Sequence, residues 1–462
     1  MAHPPAGLPG PGPLPGGQLP SGGARGARPV AAYSRGMPGT VVSPAAGAGV
    51  DAPEPPAHIA RDVARTVLCS TSGSLAAFLV GALAVELRAS LHLSLTGVGS
   101  AVGAYFLGAA AGSVPAGRVT DRLGGARTMR GAALGAAAAL LLISLLAVSW
   151  ASLCALMLLA GLASSAMQPA TNRFLIRRVP ASRQGLAFGI KQASVPLATL
   201  LGGLAVPTLG LTVGWRWAFV VGACIALAAA VLAPVPRLAR AEARRRAPAP
   251  SAGSRDTRAL VVLAAGFGLG VLATTGLTTF LVLSAVAVGV GQAGAGLVAA
   301  LAAATSAAVR IAVGYVADRR GHSHLPMVSV MLMVGVVGYA ALGLGSLTRT
   351  GALLVIGAVI AYGAGWGWNG LFNFAITRSH RDAPARATGV TQTGGRLAGV
   401  LGPTIFGMVV SHTDYAVGWL VSAGAALSGA GVIVVGRRLL VASQARGGRL
   451  APPVPSGGAS HA

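Results

Sequence analysis

The sequence predicts an all-α membrane protein of about twelve transmembrane helices, arranged as two six-helix bundles. Three observations predict it. Of the 462 residues, 54% are hydrophobic and only 10% are charged, with a mean hydropathy of +0.71. A soluble chain needs about a quarter of its residues charged to cover its surface, so lipid must cover most of this one. Apolar runs of ~20 residues, enough to cross a ~30 Å hydrocarbon core, recur along the chain. Finally, features of its first half return in the second.

Residues 1–60 are rich in Pro, Gly and Ala and are expected to form a disordered cytosolic tail. No apolar core follows its first basic residues closely enough for a secretory signal. The first bundle occupies 61–236, with spans near 63–85, 94–117, 127–148, 151–174, 185–209 and 215–235. A basic, Pro- and Ser-containing cytosolic linker covers 237–258. The second bundle occupies 259–438, with spans near 259–286, 293–316, 325–346, 351–376, 387–410 and 416–436. Residues 439–462 are expected to be a second disordered cytosolic tail.

The net charge of +25 raises the question of nucleic acid. A nucleic-acid binder gathers its basic residues on one solvated face, whereas here they fall in clusters between apolar runs. With the amino terminus inside, cytosolic segments hold all of the 35 Lys and Arg except Arg88, Arg216, Arg349, Lys191, Arg310 and Arg396. Cytosolic loops retain basic residues, so both termini are expected in the cytoplasm, the chain in the plasma membrane as a monomer. Cys69, Cys154 and Cys224 lie in apolar segments at no metal-ligand spacing. The histidines fall mostly in tails and loops, and no phosphate-cradling loop or nucleophile elbow stands in a plausible context. Neither a cofactor nor an enzymatic activity is expected.

The repeat is specific. Span 2 ends in "AGRVTDRLGGAR", with Gly117, Asp121, Arg122 and Gly124; span 8 ends in "VGYVADRRGH", with Gly314, Asp318, Arg319 and Gly321, at an offset of 197. Gly189, Gln192 and Gly202 of span 5 match Gly389, Gln392 and Gly402 of span 11 at an offset of 200. Two matches at nearly one offset mark related halves.

The G-x-x-x-D-R-x-G pattern between spans 2 and 3, with its weaker echo between spans 8 and 9, resembles the marker of the major facilitator superfamily. The resemblance covers 63–436 and implies that superfamily's two-bundle fold and alternating-access transport. It also implies a gate: Asp121 latching the start of span 11 near Arg386, and Asp318 latching span 5 near Arg183. Glycine allows the close approach of helices, and a helix amino terminus attracts a carboxylate.

Within the spans, hydroxyls cluster at Ser70, Thr71, Ser72 and Ser74 and at Thr274, Thr275, Thr278 and Thr279. They either contact a solute or bond to carbonyls of their own helices. Gln168, Asn172, Asn369 and Asn373 are expected to face the bundle interior. Lys191, Arg310 and Arg396 lie at membrane depth, where a charge costs at least ~2.5 kcal/mol and marks a functional candidate. None of the ten acids lies deep in a span, Glu86 coming nearest. A buried cation with no carboxylate partner is costly, and an anionic solute removes that cost. The expected substrate is therefore a small organic anion, held by Arg396, Arg310, Lys191, Gln192, Gln392, Asn172, Asn369 and Asn373, with a coupling proton or counter-anion. The placement also resembles monocarboxylate and oxalate–formate carriers, which use basic residues in spans 8 and 11. The alternatives are a multidrug exporter, for which Glu86 would serve as proton carrier, and a membrane sensor that does not transport.

Overall fold

Short polar residues start several of the helices. The Ser94 hydroxyl accepts the Gly97 N–H at 2.9 Å at the head of span 2. Ser149 and Ser152 form a reciprocal capping box at the head of span 4. Asp414 accepts the Val417 N–H at 2.9 Å before span 12. Gly124, at φ +82°, turns span 2 directly into span 3, a conformation that costs glycine little.

This computed structural model describes residues 56–180, 183–234, 257–319, 324–380 and 384–449, all within the compact unit Glu54–Ala462. Among the described residues, twelve helices are long and apolar enough to cross a membrane. Spans 1–6 are His58–Ala82, Leu95–Leu123, Gly125–Leu146, Trp150–Arg178, Leu186–Gly210 and Trp215–Leu232. Spans 7–12 are Thr257–Ala287, Gln292–Ala317, Leu325–Leu347, Gly351–Ser379, Ala387–His412 and Tyr415–Ser443. An even number of crossings puts both ends of the described chain on one side, called here the terminal side; the other is the far side. A short helix, Ala84–Leu91, extends span 1 there.

Two features differ from the sequence expectation. The last helix runs unbroken from Tyr415 to Arg449, so the chain past residue 438 continues as helix rather than as a tail. Spans 4, 5 and 10 are interrupted. Span 4 breaks between Ser164 and Met167. Span 5 breaks at Ala193, three residues before Pro196, and ends in a wide turn over Val206–Gly210. Span 10 passes through a wide turn at Ala361–Gly365 within "AYGAGWGWNG", a run of poor helix formers. The expected tail before residue 56 and most of the linker lie outside the described residues.

The two halves meet along two seams. On the far side, Gly99 of span 2 abuts the Pro403 carbonyl of span 11, and a side chain at Gly103 would lie 2.6 Å from the Val400 carbonyl. In the other seam Gly203 of span 5 and Gly296 of span 8 face each other's carbonyls, where a Cβ at either would sit at 2.5–2.6 Å. Gly99 relates to Gly296 by the offset of 197, and Gly203 to Pro403 by the offset of 200. The repeat read in the letters is therefore also a repeat of contacts.

On the terminal side the seams differ. Gly189 of span 5 stays against span 8, its Cβ position 3.7 Å from the Arg310 carbonyl and the Gly314 Cα. Gly117 of span 2 and Gly389 of span 11 have nothing within 4 Å. The span 5–8 seam is packed at both ends, whereas the span 2–11 seam is packed only toward the far side.

Candidate functional site

The break in span 5 builds the centre of the site. Proline has no N–H, so Pro196 cannot bond the carbonyl four residues earlier, that of Gln192. Arg310 of span 8, in the other half, does so instead: its Nη1 donates to the Gln192 carbonyl at 3.3 Å. The guanidinium's Nη2 donates to the Trp366 carbonyl at 2.8 Å, a group exposed by the broken turn of span 10. Arg310 also lies over the Trp366 ring, 4.9 Å from its centroid. Trp366 in turn meets Phe78 of span 1 at 5.9 Å and Tyr362 at 5.3 Å, so an aromatic cluster roofs the site. Arg310 is buried and two of its donors are satisfied. Two freed carbonyls and a ring face thus offset part of the cost of its burial, while its Nε is buried with no hydrogen-bond partner among the described residues.

Lys191 lies one residue before Gln192 and is buried, 1% exposed. Its ammonium donates to Gln168 Oε1 and, at 3.0 Å, to Asn172 Oδ1, both on span 4. In the second half Gln392 of span 11 donates to Asn373 Oδ1 of span 10 at 2.6 Å. Asn369, one turn before Asn373, shares the Trp366 carbonyl at 3.5 Å. The two groups correspond, Gln168 with Asn369, Asn172 with Asn373, and Lys191 with Gln392, each 201 positions apart. At the seams between spans 4 and 5 and between 10 and 11, an ammonium in one half thus does what a neutral amide does in the other. Lys191 thus departs by one position from the offset of 200 that relates Gly189 to Gly389 and Gln192 to Gln392. Gln192 reaches across to Gly370 of span 10, its Cβ and Cγ 3.7–3.8 Å from that glycine's Cβ position, which brings both groups to one level between the halves.

The Major Facilitator Superfamily model matches residues 66–403, most of the chain. The chain belongs to the major facilitator superfamily. Two strains of Mycobacterium tuberculosis hold relatives described as uncharacterised MFS-type transporters, 28% identical over 316 residues, covering 66% of this chain and 68% of theirs. The fold is similar to that of a D-xylose–proton symporter, with a TM-score of 0.66 and 14% identity over 82% of this chain and 97% of that one. It is also similar to a nucleoside transporter, at a TM-score of 0.61 and 15% identity over 81% of this chain and 99% of that one. A bacterial homologue of the lysosomal transporter Spinster matches at 0.59 and 18% over 86% of this chain and all of its own.

In this MFS transporter, Arg396 stands one turn beyond Gln392. It shares a stripe of span 11 with Val400, Pro403 and Gly407, the residues that meet span 2 farther along. Arg396 falls where that packing has ended, is exposed, and has no hydrogen-bond or ion-pair partner among the described residues. About nine residues into span 11, it lies ~14 Å from the helix start at ~1.5 Å per residue.

The expected latch from Asp121 to span 11 is not engaged in this structure, whose span 2–11 seam is open at that end. Its carboxylate accepts from Arg173 of span 4, within the same half, and remains largely exposed. Arg173 was not singled out in the sequence, although an arginine at the terminal-side end of span 4 was the signal available. Arg122 and Gly124 sit beside Asp121 at the turn into span 3. The side chains of Asp318, Arg319 and Arg386, and all of Gly321, lie outside the described residues, so the second latch does too.

Most span hydroxyls serve their own helices. Ser72 donates to the Cys69 carbonyl at 2.8 Å, Thr274 to Val271 at 2.7 Å and Thr275 to Leu272 at 2.7 Å. Thr71 bridges to the Ser194 carbonyl of span 5 at 3.2 Å. For the hydroxyls that bond within their helices the geometry favours helix bonding, while Ser70 Oγ and Thr279 Oγ1 are buried with no hydrogen-bond partner among the described residues.

Proposed function

We propose that the chain is a secondary transporter that carries a small organic anion across the plasma membrane by alternating access. The termini are cytoplasmic, a proton or counter-anion couples transport, and the protein works as a monomer. One observation carries the reading: two cations at membrane depth have no carboxylate partner. Ion pairs among the described residues, such as Asp62 with Arg65 and Arg178 and Asp121 with Arg173, involve neither Lys191 nor Arg396. Lys191 has two neutral amide oxygens and Arg396 has no partner. An anion between them supplies the missing charge, and a guanidinium grips a carboxylate through two parallel bonds.

Arg396 faces the unpacked part of the span 2–11 seam and makes the first contact from the cytosolic side. Lys191, fixed by Gln168 and Asn172, holds the anion, and Asn369, Asn373, Gln192 and Gln392 bond its neutral part. Arg310 shapes the floor beneath the aromatic roof. The halves then rock about this level. The multidrug-export reading needs an acid beside the solute, whereas Glu86 belongs to the far-side helix Ala84–Leu91.

Uptake of labelled mono- and dicarboxylates into proteoliposomes tests the proposal. The parent takes up at least one of them, and both Arg396→Gln and Lys191→Gln abolish that uptake. Anion uptake undiminished in both variants would remove the basis of the anion site. Binding of anion without uptake would favour the sensor.

A further inference from the structure

The far-side closure contains a carboxyl group that nothing in the transport site uses. Glu86 lies in the helix Ala84–Leu91, which belongs to the first half and packs against span 7 of the second. Beside it Gly81 of span 1 abuts the Thr278 carbonyl of span 7, so this helix sits where the halves meet. Both carboxyl oxygens of Glu86 are shut off from solvent, and neither makes a hydrogen bond of acceptable geometry among the described residues. Gly210, in the wide turn that ends span 5, packs beside the carboxyl; a Cβ there would lie 3.2 Å from Oε1.

Among the described residues no positive charge compensates this carboxyl. The far-side ends of spans 1 and 7, and the turn Val206–Gly210, contribute no charged residue at this level. Arg88 of the same helix turns its Nε to the Leu93 carbonyl at 3.1 Å, and lies near Tyr415. Arg216 stacks on Trp215 and donates to the Ala147 carbonyl at 3.2 Å. His92 caps the helix end and is exposed. An ionised carboxylate without partners in a dry site is expensive, and such a group takes up a proton instead.

We propose that Glu86 is a proton-binding site that keeps the far-side closure shut while it is neutral and releases it when it ionises. Its place in the closure, away from the polar assembly around Lys191, makes the bound proton a gate on the closure and not a companion of the solute. When the halves part on the far side, the helix Ala84–Leu91 leaves span 7, water reaches the carboxyl, and the charged form becomes tolerable. Proton binding thus favours the state seen in this structure, and proton loss favours the state open to the far side.

The pH dependence has a definite sign. Burial raises the Glu86 carboxyl above the ordinary carboxylate value, an effect only partly offset by its own backbone N–H. A raised acid binds its proton more tightly in the closed state than in an opened or unfolded one. The closed state is therefore at full strength below the ordinary carboxylate range and loses stability as pH climbs above it.

The test uses the full chain in lipid nanodiscs without added solute, so its outcome is independent of whether the substrate is an anion. Spin labels go on Ser90→Cys and Thr348→Cys, exposed far-side positions in opposite halves, with Cys69, Cys154 and Cys224 replaced by Ser. As pH rises from about 5 to about 8, a longer-distance population is expected to grow in the parent. Glu86→Gln, a permanently neutral isostere, is expected to keep the short distance throughout. A parent distribution that ignores pH, or a Glu86→Gln protein that keeps the parent's response, overturns the proposal. Thermal unfolding with native cysteines gives a second readout: Glu86→Gln should match the parent at the acidic end and melt higher at the basic end. Identical pH profiles for the two proteins would also overturn it.

Discussion

Pro196 and Arg310 act as a unit although they lie in different halves. The proline removes the donor that the Gln192 carbonyl would otherwise have, and Arg310 supplies one from across the seam. Arg310→Gln should lose two charge-assisted hydrogen bonds and leave two carbonyls under-satisfied, costing about 3 kcal/mol of stability. Arg310→Lys should recover only part of this, because an ammonium lacks the planar fork that reaches both carbonyls. In a Pro196→Ala background the Gln192 carbonyl regains a helical partner, so Arg310→Gln should cost about 1 kcal/mol less there. Thermal unfolding of the four proteins in this cycle measures the coupling; strictly additive costs would contradict the shared role. Asp121 contrasts with this unit. Its carboxylate is 75% exposed in its pair with Arg173, so Asp121→Asn should lower stability by less than about 1 kcal/mol.

The interrupted helices decide which side chains meet. Spans 4 and 10 break at matching places and present Gln168 and Asn172, or Asn369 and Asn373, to the span that follows. Lys191→Gln gives the first half the neutral amide that Gln392 provides in the second. The bundle should therefore fold with stability within about 1 kcal/mol of the parent, while anion uptake disappears; a melting point and a flux assay separate the two effects. Much of this was legible in the sequence. Span number and the repeat offsets follow from hydropathy and from matched letters. The partner of Asp121 was not legible, because whether it reaches span 11 or Arg173 depends on how far the seam is open, and one sequence serves every state. The bracing of Arg310 was half written in the letters: Pro196 announces a freed carbonyl, but only the fold says which donor arrives. Helix continuity past residue 438 was obscured by Gly and Arg residues that read as a tail.

At the scale of the whole molecule the two seams are unequal, and that inequality sets where the halves are parted. Spans 5 and 8 touch from Gly203 and Gly296 on the far side to Gly189 and Gly314 on the terminal side. Spans 2 and 11 touch at Gly99 and Pro403 but have separated by Gly117 and Gly389. A rigid half that keeps one seam and parts at the other moves like a door, hinged along spans 5 and 8 and opening between spans 2 and 11. Arg310, bonded to both halves, lies on the hinge side, and Arg396 lies on the opening side. Disulfide trapping tests this asymmetry. With the native cysteines replaced, Gly189→Cys with Gly314→Cys should cross-link readily, since a Cβ at Gly189 would stand 3.7 Å from the Gly314 Cα, within the reach a disulfide needs. Gly117→Cys with Gly389→Cys should stay reduced in this state. An anion that drives the halves toward the opposite state should raise cross-linking of that second pair and leave the first unchanged. Equal cross-linking of both pairs, with or without anion, would mean that the halves move symmetrically and that Arg310 is no hinge.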